Sequence, residues 1–100
     1  MSWATDYITK LLQGETVNFR PRGHSMVPLI QSGQLCTVEP LNDRLLSRGS
    51  IVLCKVRGTH YLHLVTAVRS DQVQISNNRG RMNGWTPSKN IFGILTQVQD

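Results

Sequence analysis

The stretch SIVLCKVRGTHYLHLVTAV, residues 50–68, decides the fold class of this chain. It contains two runs rich in β-branched and aromatic residues, SIVLCKV and HYLHLVTAV, which are connected through RGTH. Residues of these types favour strands, and a glycine between two such runs is typical of a tight hairpin because glycine accepts positive φ. The sequence therefore predicts an antiparallel hairpin that turns at Gly58.

Further segments of the same kind lie on both sides of this hairpin. They are TVNFR, QLCTVEP, QVQIS and NIFGILTQV, each bounded by Gly, Pro, Asn, Asp or Ser. Short strands separated by turn residues favour an antiparallel sheet that curls on itself. We expect a mainly β fold, either a coiled antiparallel sheet or a partly open barrel.

The first residues of the chain have a different pattern. Trp3, Tyr7, Ile8, Leu11 and Leu12 recur at helical spacing, and Gly14 is a natural stop. With Ser2 or Thr5 as the N-cap, they predict one short amphipathic helix from about residue 3 to residue 13. We expect a single domain over residues 1–100, with this helix in residues 1–14 and the β-domain in residues 15–100.

Composition limits the function classes. The 100 residues are 39% hydrophobic, enough for one modest core. The longest apolar runs, such as IVLC at 51–54, are far shorter than the roughly 20 residues that cross a membrane. The N-terminal segment contains Asp6 and lacks the long apolar centre of a secretory signal. These features predict a cytoplasmic protein that does not associate with membranes.

Cysteines and charges give weaker indications. Cys36 and Cys54 lie in apolar runs without CxxC spacing, which favours buried free thiols. Clusters of His, Cys and carboxylate residues at ligand spacing do not occur, so we expect neither a metal nor an organic cofactor. The net charge of +5 allows an acidic partner, although a solvated surface is the simpler interpretation.

Two partner interpretations stay open. The apolar face of the N-terminal helix packs on its own domain, or it binds a protein partner or a second copy of the chain. The segment NNRGRMNGWTP offers Arg79, Arg81 and Trp85 for nucleic acid, by phosphate contacts and base stacking. We favour the simpler arrangement, in which Trp85 packs on the sheet and the arginines are solvated.

Ser25 lies where the strand pattern is interrupted, in the sequence GHSMVP at 23–28. Gly23 and Pro28 favour a tight, exposed turn there. A serine hydroxyl becomes a good nucleophile only when a neighbouring base takes its proton. His24 points away on an extended turn and His60 lies at the hairpin, which leaves His63 as the candidate base. A turn serine and a hydrogen-bonded strand histidine are the alternative interpretation.

The ordered set GHSMVPLIQSGQLCTVEP, RGSIVLCKVRGTHYLHLVTAV and ISNNRGRMNGWTPSKNIFGIL resembles the signal peptidase and LexA-like superfamily of serine peptidases. The resemblance runs from about Phe19 to Val98. Within the superfamily, the chain resembles the small, free-standing members found in phages and bacteria. It implies the coiled β-sheet of that superfamily. It also implies a Ser25 nucleophile and a His63 base, which are 38 positions apart.

The resemblance implies further roles around this dyad. The turn at Gly23 and Ser25 would supply the oxyanion donor, with the Ser25 N–H free. A peptide substrate would add as a strand along the edge that we place at Phe19, Arg20, Pro21, Arg22 and Met26. Asn77 and Asn78 stand where histidine-using members have an aspartate that orients the base. We therefore assign Asn77 and Asn78 to orienting His63.

The chain departs from the superfamily pattern at other positions too. Gln34 and Ser50 replace the aspartates of two Gly-Asp pairs. With Asn77 in place of an aspartate, no carboxylate is predicted to stabilise the imidazolium, so activity would be low or absent. The sequence thus predicts a serine endopeptidase that acts on an extended segment. The alternative is a catalytically degenerate module on the same fold that binds a protein or nucleic-acid partner.

Overall fold

The computed structural model describes residues 2–100, which form one sheet of seven strands and one α-helix. The elements are α1 (Thr5–Leu12), β1 (Val17–Phe19), β2 (Leu35–Pro40), β3 (Ile51–Val56), β4 (Thr59–Val68), β5 (Gln72–Ser76), β6 (Met82–Pro87), a 3₁₀ helix (Ser88–Asn90) and β7 (Ile91–Gln99). Neighbouring strands are antiparallel, and the open sheet has the order β1-β2-β7-β3-β4-β5-β6. The predicted mainly β fold with a short N-terminal helix is confirmed.

The β3–β4 hairpin turns where the sequence predicts it. Arg57 and Gly58 have positive φ values of 50° and 84°. Two consecutive residues of this kind form the turn whose twist matches that of the flanking strands. The register across the hairpin pairs Val52 with His63. His63 therefore lies in the middle of a paired strand, fixed by the hydrogen bonds of the sheet.

Helix α1 packs on the sheet of its own domain. Leu11 and Ala4 are buried, and the helix ends where Gly14 takes a φ of 86°. The close approach of the helix to the sheet depends on Gly93 in β7. A Cβ atom at this position would lie 2.7 Å from Val38 Cγ1 and 3.1 Å from Leu11 Cδ1. The helix is shorter than the predicted range of residues 3–13. No helix in residues 2–100 has the length and apolar character needed to cross a bilayer.

Strand β6 was not predicted. Its two inward-facing residues, Gly84 and Thr86, are small, so the segment lacks the alternating apolar signal of a half-buried strand. Pro87 and Gly84 also argue against a strand by composition. The strand forms because it is an edge strand, paired only with β5, where a missing N–H is tolerated.

Two clusters of buried side chains form the core. One lies under α1 and includes Val38, Leu53 and Leu62, and the other lies between β3, β4 and β5. Cys36 and Cys54 are buried free thiols, as predicted. Burial raises the pKa of the Cys54 thiol to about 12. These cysteines therefore act as small apolar core residues.

The longest connection in the described chain covers residues 20–34, between β1 and β2. Met26 and Ile30 are buried in the core beneath α1 and anchor the connection from within. Two hydrogen bonds join its two ends, from Gly33 N–H to the Pro21 carbonyl (2.8 Å) and from Gly23 N–H to Ser32 Oγ (3.1 Å). The connection therefore has a defined shape although it contains no regular element.

Candidate active site

Ser25 lies in a turn of the 20–34 connection, directly before the buried Met26. Gly23 has a φ of 110°, a conformation that glycine adopts without steric cost. The next turn closes through a hydrogen bond from Ile30 N–H to the Met26 carbonyl (3.0 Å). Because Met26 is packed in the core, the backbone that carries Ser25 has a fixed position against the sheet.

The Ser25 hydroxyl lies within hydrogen-bond distance of a histidine on β4. Ser25 Oγ is 3.1 Å from His63 Nε2. A nucleophile and its base are expected at about 2.6 to 3.2 Å, with somewhat looser geometry in the absence of substrate. The structure thus brings together the two residues that the sequence analysis singled out as a dyad.

The other nitrogen of the His63 ring contacts Asn83, on the unpredicted strand β6. His63 Nδ1 is 2.7 Å from Asn83 Oδ1. An amide oxygen only accepts hydrogen bonds, so Nδ1 carries the proton and Nε2 has a free lone pair. In this tautomer the Ser25 hydroxyl donates to Nε2, as a general base requires.

The environment of His63 favours the neutral form of its imidazole. The ring is 8% exposed and is stacked on Tyr61, with 4.7 Å between the ring centroids. Burial lowers the pKa of His63, and the hydrogen bond with Asn83 partly opposes this shift. A neutral imidazole can accept a proton, so this environment is compatible with a role of His63 as a base.

The assignment of Asn77 and Asn78 as base-orienting residues is wrong, because Asn83 makes that contact. Asn77 Oδ1 accepts hydrogen bonds from the N–H groups of Arg79 and Arg81, so it closes the β5–β6 turn. Asn78 contacts the other member of the dyad. Its N–H donates to the Ser25 carbonyl (2.8 Å) and its Nδ2 to the Val27 carbonyl (3.0 Å).

Of the two backbone N–H groups in the predicted oxyanion turn, one already donates a hydrogen bond within the protein. The N–H of Gly23 donates to Ser32 Oγ and is therefore committed. Within residues 2–100, no group accepts a hydrogen bond from the N–H of Ser25. A free N–H on the nucleophile itself is the usual first donor to the oxyanion of an acyl-transfer reaction.

A cavity of about 460 Å³ opens beside the dyad. All five residues of the predicted substrate edge line this cavity: Phe19, Arg20, Pro21, Arg22 and Met26. Phe19 and Met26 are buried and contribute its inner wall, while Arg20 and Arg22 are exposed at its rim. β1 is an edge strand of the sheet, so one side of its backbone is open to an added strand.

The remaining histidines do not join the dyad. His24 is exposed next to Ser25. His60, at the β3–β4 hairpin, is half-buried, and its Nδ1 lies 2.6 Å from the Oγ atom of Ser2, which precedes α1. Partial burial and the nearby Lys55 lower the pKa of His60. His60 therefore links β4 to the segment before α1 rather than to Ser25.

Gln34 and Ser50, the two positions where the resemblance predicts an aspartate, make hydrogen bonds through their own neutral side chains. Gln34 accepts a hydrogen bond from Gln31 N–H at 2.7 Å and donates one to Asp100 at 2.9 Å. Ser50 Oγ accepts a long hydrogen bond from Ser47 N–H at 3.4 Å. Both turns therefore keep a side-chain acceptor without a charge.

The segment for which the sequence left nucleic-acid binding open contains Trp85, and an arginine lies against its ring. The guanidinium of Arg69 lies 3.9 Å above the Trp85 ring, so one face of that ring is covered. Arg79 and Arg81 are exposed.

Among residues 2–100, no three His, Cys, Asp or Glu side chains are close enough to bind a metal ion together.

Comparison with known proteins adds no relative: no protein-family model matches this chain, and neither does any curated protein. The chemistry of the site therefore has to be argued from its own geometry.

Proposed function

We propose that this protein is a serine endopeptidase that cleaves an extended peptide segment, with Ser25 as nucleophile and His63 as general base. The observation that carries the proposal is the 3.1 Å contact between Ser25 Oγ and a His63 ring whose other nitrogen is engaged by Asn83. A serine that only closes a turn does not require a buried histidine whose second nitrogen is fixed by another side chain. The resemblance to the signal peptidase and LexA-like superfamily supports the same reaction.

The chemistry follows from the tautomer. Ser25 Oγ attacks the peptide carbonyl carbon while its proton moves to His63 Nε2. The carbonyl oxygen becomes an oxyanion that the Ser25 N–H can stabilise. When the C–N bond breaks, the imidazolium returns the proton to the leaving amine. Water then hydrolyses the acyl-enzyme by the same route, with His63 again as the base.

Asn83 limits the rate of this reaction. It fixes the ring and the tautomer, but an amide has no charge with which to stabilise the imidazolium that forms in each step. Burial of His63 adds to this cost, since it disfavours the charged ring. We therefore expect a slow enzyme, suited to one specific substrate rather than to general degradation.

A covalent probe provides the direct test. A fluorophosphonate reacts with activated serines, and mass spectrometry of the labelled protein identifies the modified residue. We expect labelling of Ser25 that is abolished in Ser25→Ala and strongly reduced in His63→Ala. Ser70→Ala is the matched control, because Ser70 is exposed in the β4–β5 turn, and it should be labelled like the unmodified protein. Labelling of another serine, or none at all, would refute the peptidase proposal.

The alternative function is a binding module on a degenerate peptidase fold. The observation that favours it is that a neutral amide, Asn83, and not a carboxylate contacts His63 Nδ1. A nucleic-acid partner has less support, because Arg69 already covers the Trp85 ring on which a base would stack. Absence of Ser25 labelling in a folded protein would favour the binding module.

A further inference from the structure

The cavity next to Ser25 and His63 continues away from the dyad to helix α1. β4 lines it from His63 at the catalytic end to His60 at the helix end, a distance of about 10 Å for three residues of extended chain. Tyr7 of α1, together with Trp3 just before the helix, closes the far end. The cavity is therefore long enough to accommodate the reacting peptide bond and a side chain two or three residues away.

The far end of the cavity is aromatic. Tyr7 is stacked on Phe19 with 4.6 Å between ring centroids, and Trp3 lies 5.6 Å from Phe19. Of the six Phe, Trp and Tyr residues in the chain, four line this one cavity. Trp3 is nevertheless 51% exposed, so its ring is not fully covered by the protein's own core. Such a wall can bury a large apolar side chain of a ligand.

The rim of the cavity is cationic. The charged side chains that line it are Arg20 and Arg22, while His60 and His63 have lowered pKa values. Arg20 donates to the Gly33 carbonyl at 2.8 Å, a contact that uses one of its five N–H groups. Within residues 2–100, the one salt bridge joins Arg44 to Glu39, so neither rim arginine has an acidic partner. Both guanidinium groups can bind a carboxylate from a ligand.

We propose that this cavity recognises a peptide segment with a large apolar side chain, Phe or Leu in type, that is neighboured by an acidic residue. The apolar side chain packs against Trp3, Tyr7 and Phe19, and the carboxylate lies near Arg20 and Arg22. The inference names the substrate class of the proposed peptidase and so rests on that function. It gives α1 a role in selecting the substrate, beside its role in covering the core.

Binding to a chemically inactive protein tests the inference separately from catalysis. The protein carries Ser25→Ala, which removes the nucleophile, and Trp85→Phe, which leaves Trp3 as the single tryptophan. N-acetylated hexapeptide amides that differ at two adjacent positions are titrated against it, and Trp3 fluorescence reports binding. The first position is Phe or Ala, and the second is Asp, Asn or Lys.

We expect the Phe-Asp peptide to bind best. Replacing Phe by Ala should weaken binding about tenfold or more, as expected for a buried aromatic side chain. Replacing Asp by Lys should weaken it a few-fold at low salt and by less at about 0.5 M salt, since exposed ion pairs are weak and screened. Tyr7→Ala should remove the Phe preference and Arg22→Gln most of the Asp preference. Leu12→Ala, on the exposed side of α1, is the matched control and should change neither.

The outcomes separate the two proposals. Equal binding of Phe and Ala peptides, or equal binding of Asp and Lys peptides, overturns the inference even if Ser25 is labelled by a fluorophosphonate. A Phe-Asp preference without Ser25 labelling supports the cavity assignment and refutes the peptidase. Because the peptide comparison uses one and the same protein, it stays decisive even if Tyr7→Ala fails to fold.

Discussion

The two members of the dyad are positioned by very different parts of the molecule. His63 lies within β4, where it pairs with Val52 of β3, and the pairing of β4 with β5 begins at the next residue, Leu64. Ser25 lies in a 15-residue connection without regular structure, between the end of β1 and the start of β2. The proposed base is thus positioned by a sheet ladder, and the proposed nucleophile by a few individual contacts.

This difference indicates where the site can be perturbed. Moving His63 requires a change in the register of a central hairpin, which would also disturb the core. Moving Ser25 requires only the loss of its links to Asn78 and to the buried Met26. We therefore expect substitutions of the exposed residues around the serine turn, unlike those of the buried Met26, to alter activity with little effect on stability.

The largest effect is expected from removing the base itself. His63→Gln keeps a polar side chain in the buried position but cannot accept the serine proton, so the cleavage rate should fall by about a thousand-fold or more. Peptide cleavage and thermal unfolding measured together provide the test. His24→Gln, adjacent to Ser25 in sequence but not in contact with the dyad, should cleave normally. Retention of activity in His63→Gln would exclude His63 as the base.

The next effect concerns Asn83, which orients the base. Asn83→Ala should lower the rate by about 10- to 100-fold, because it frees the ring and its tautomer. Asn83→Asp should raise the rate, roughly tenfold, since a carboxylate stabilises the imidazolium. The same carboxylate should raise the pKa of His63, so the acidic limb of the pH–rate profile should move to higher pH. An unshifted limb would show that Asn83 does not act through His63.

The strands could be predicted from sequence because their signals are local, whereas the pairing of Ser25 with His63, 38 positions apart, is an expectation from the resemblance. Runs of β-branched residues mark most of the strands, and the polar His63 stands out in an apolar run. Asn83 could not be predicted in the same way. It lies on β6, whose inward-facing residues Gly84 and Thr86 give no apolar alternation. Because the strand itself was not predicted, the contacts of its side chains could not be predicted either.

The roles of Asn77 and Asn78 illustrate the same limit. A motif position indicates that an asparagine lies near the site, but the side chain it contacts depends on the shape of the β5–β6 turn. In the fold, Asn77 caps that turn and Asn78 reaches the serine connection. Contacts between His60 and Ser2 are also long-range, since 58 positions separate the two residues. Such pairings arise from the three-dimensional packing of the helix on the sheet.

A smaller effect is expected at Asn78, which links the β5–β6 loop to the serine turn. Asn78→Ala removes the 3.0 Å hydrogen bond to the Val27 carbonyl but leaves the backbone bond to Ser25 intact. Cleavage should therefore fall only about three- to tenfold, with a small change in unfolding temperature. The loss of activity should be partial because the hydrogen bond from Asn78 N–H to the Ser25 carbonyl remains. A loss as large as that of His63→Gln would mean that the serine turn depends on this single side chain.

The smallest effect is the pH dependence of stability. Burial lowers the pKa of His63 in the folded protein, whereas the unfolded chain has the ordinary value near 6.5. As the pH falls below about 6.5 the unfolded state binds more protons, so the free energy of unfolding should decrease until the pH passes the lowered folded pKa. Thermal unfolding from pH 7.5 to 5 measures this loss. His60 also has a lowered pKa, so a His60→Gln background isolates the part due to His63. In that background, His63→Gln should flatten the remaining slope. An unchanged slope would mean that His63 is not held neutral by its surroundings, and the base would then be no more pre-organised than the serine.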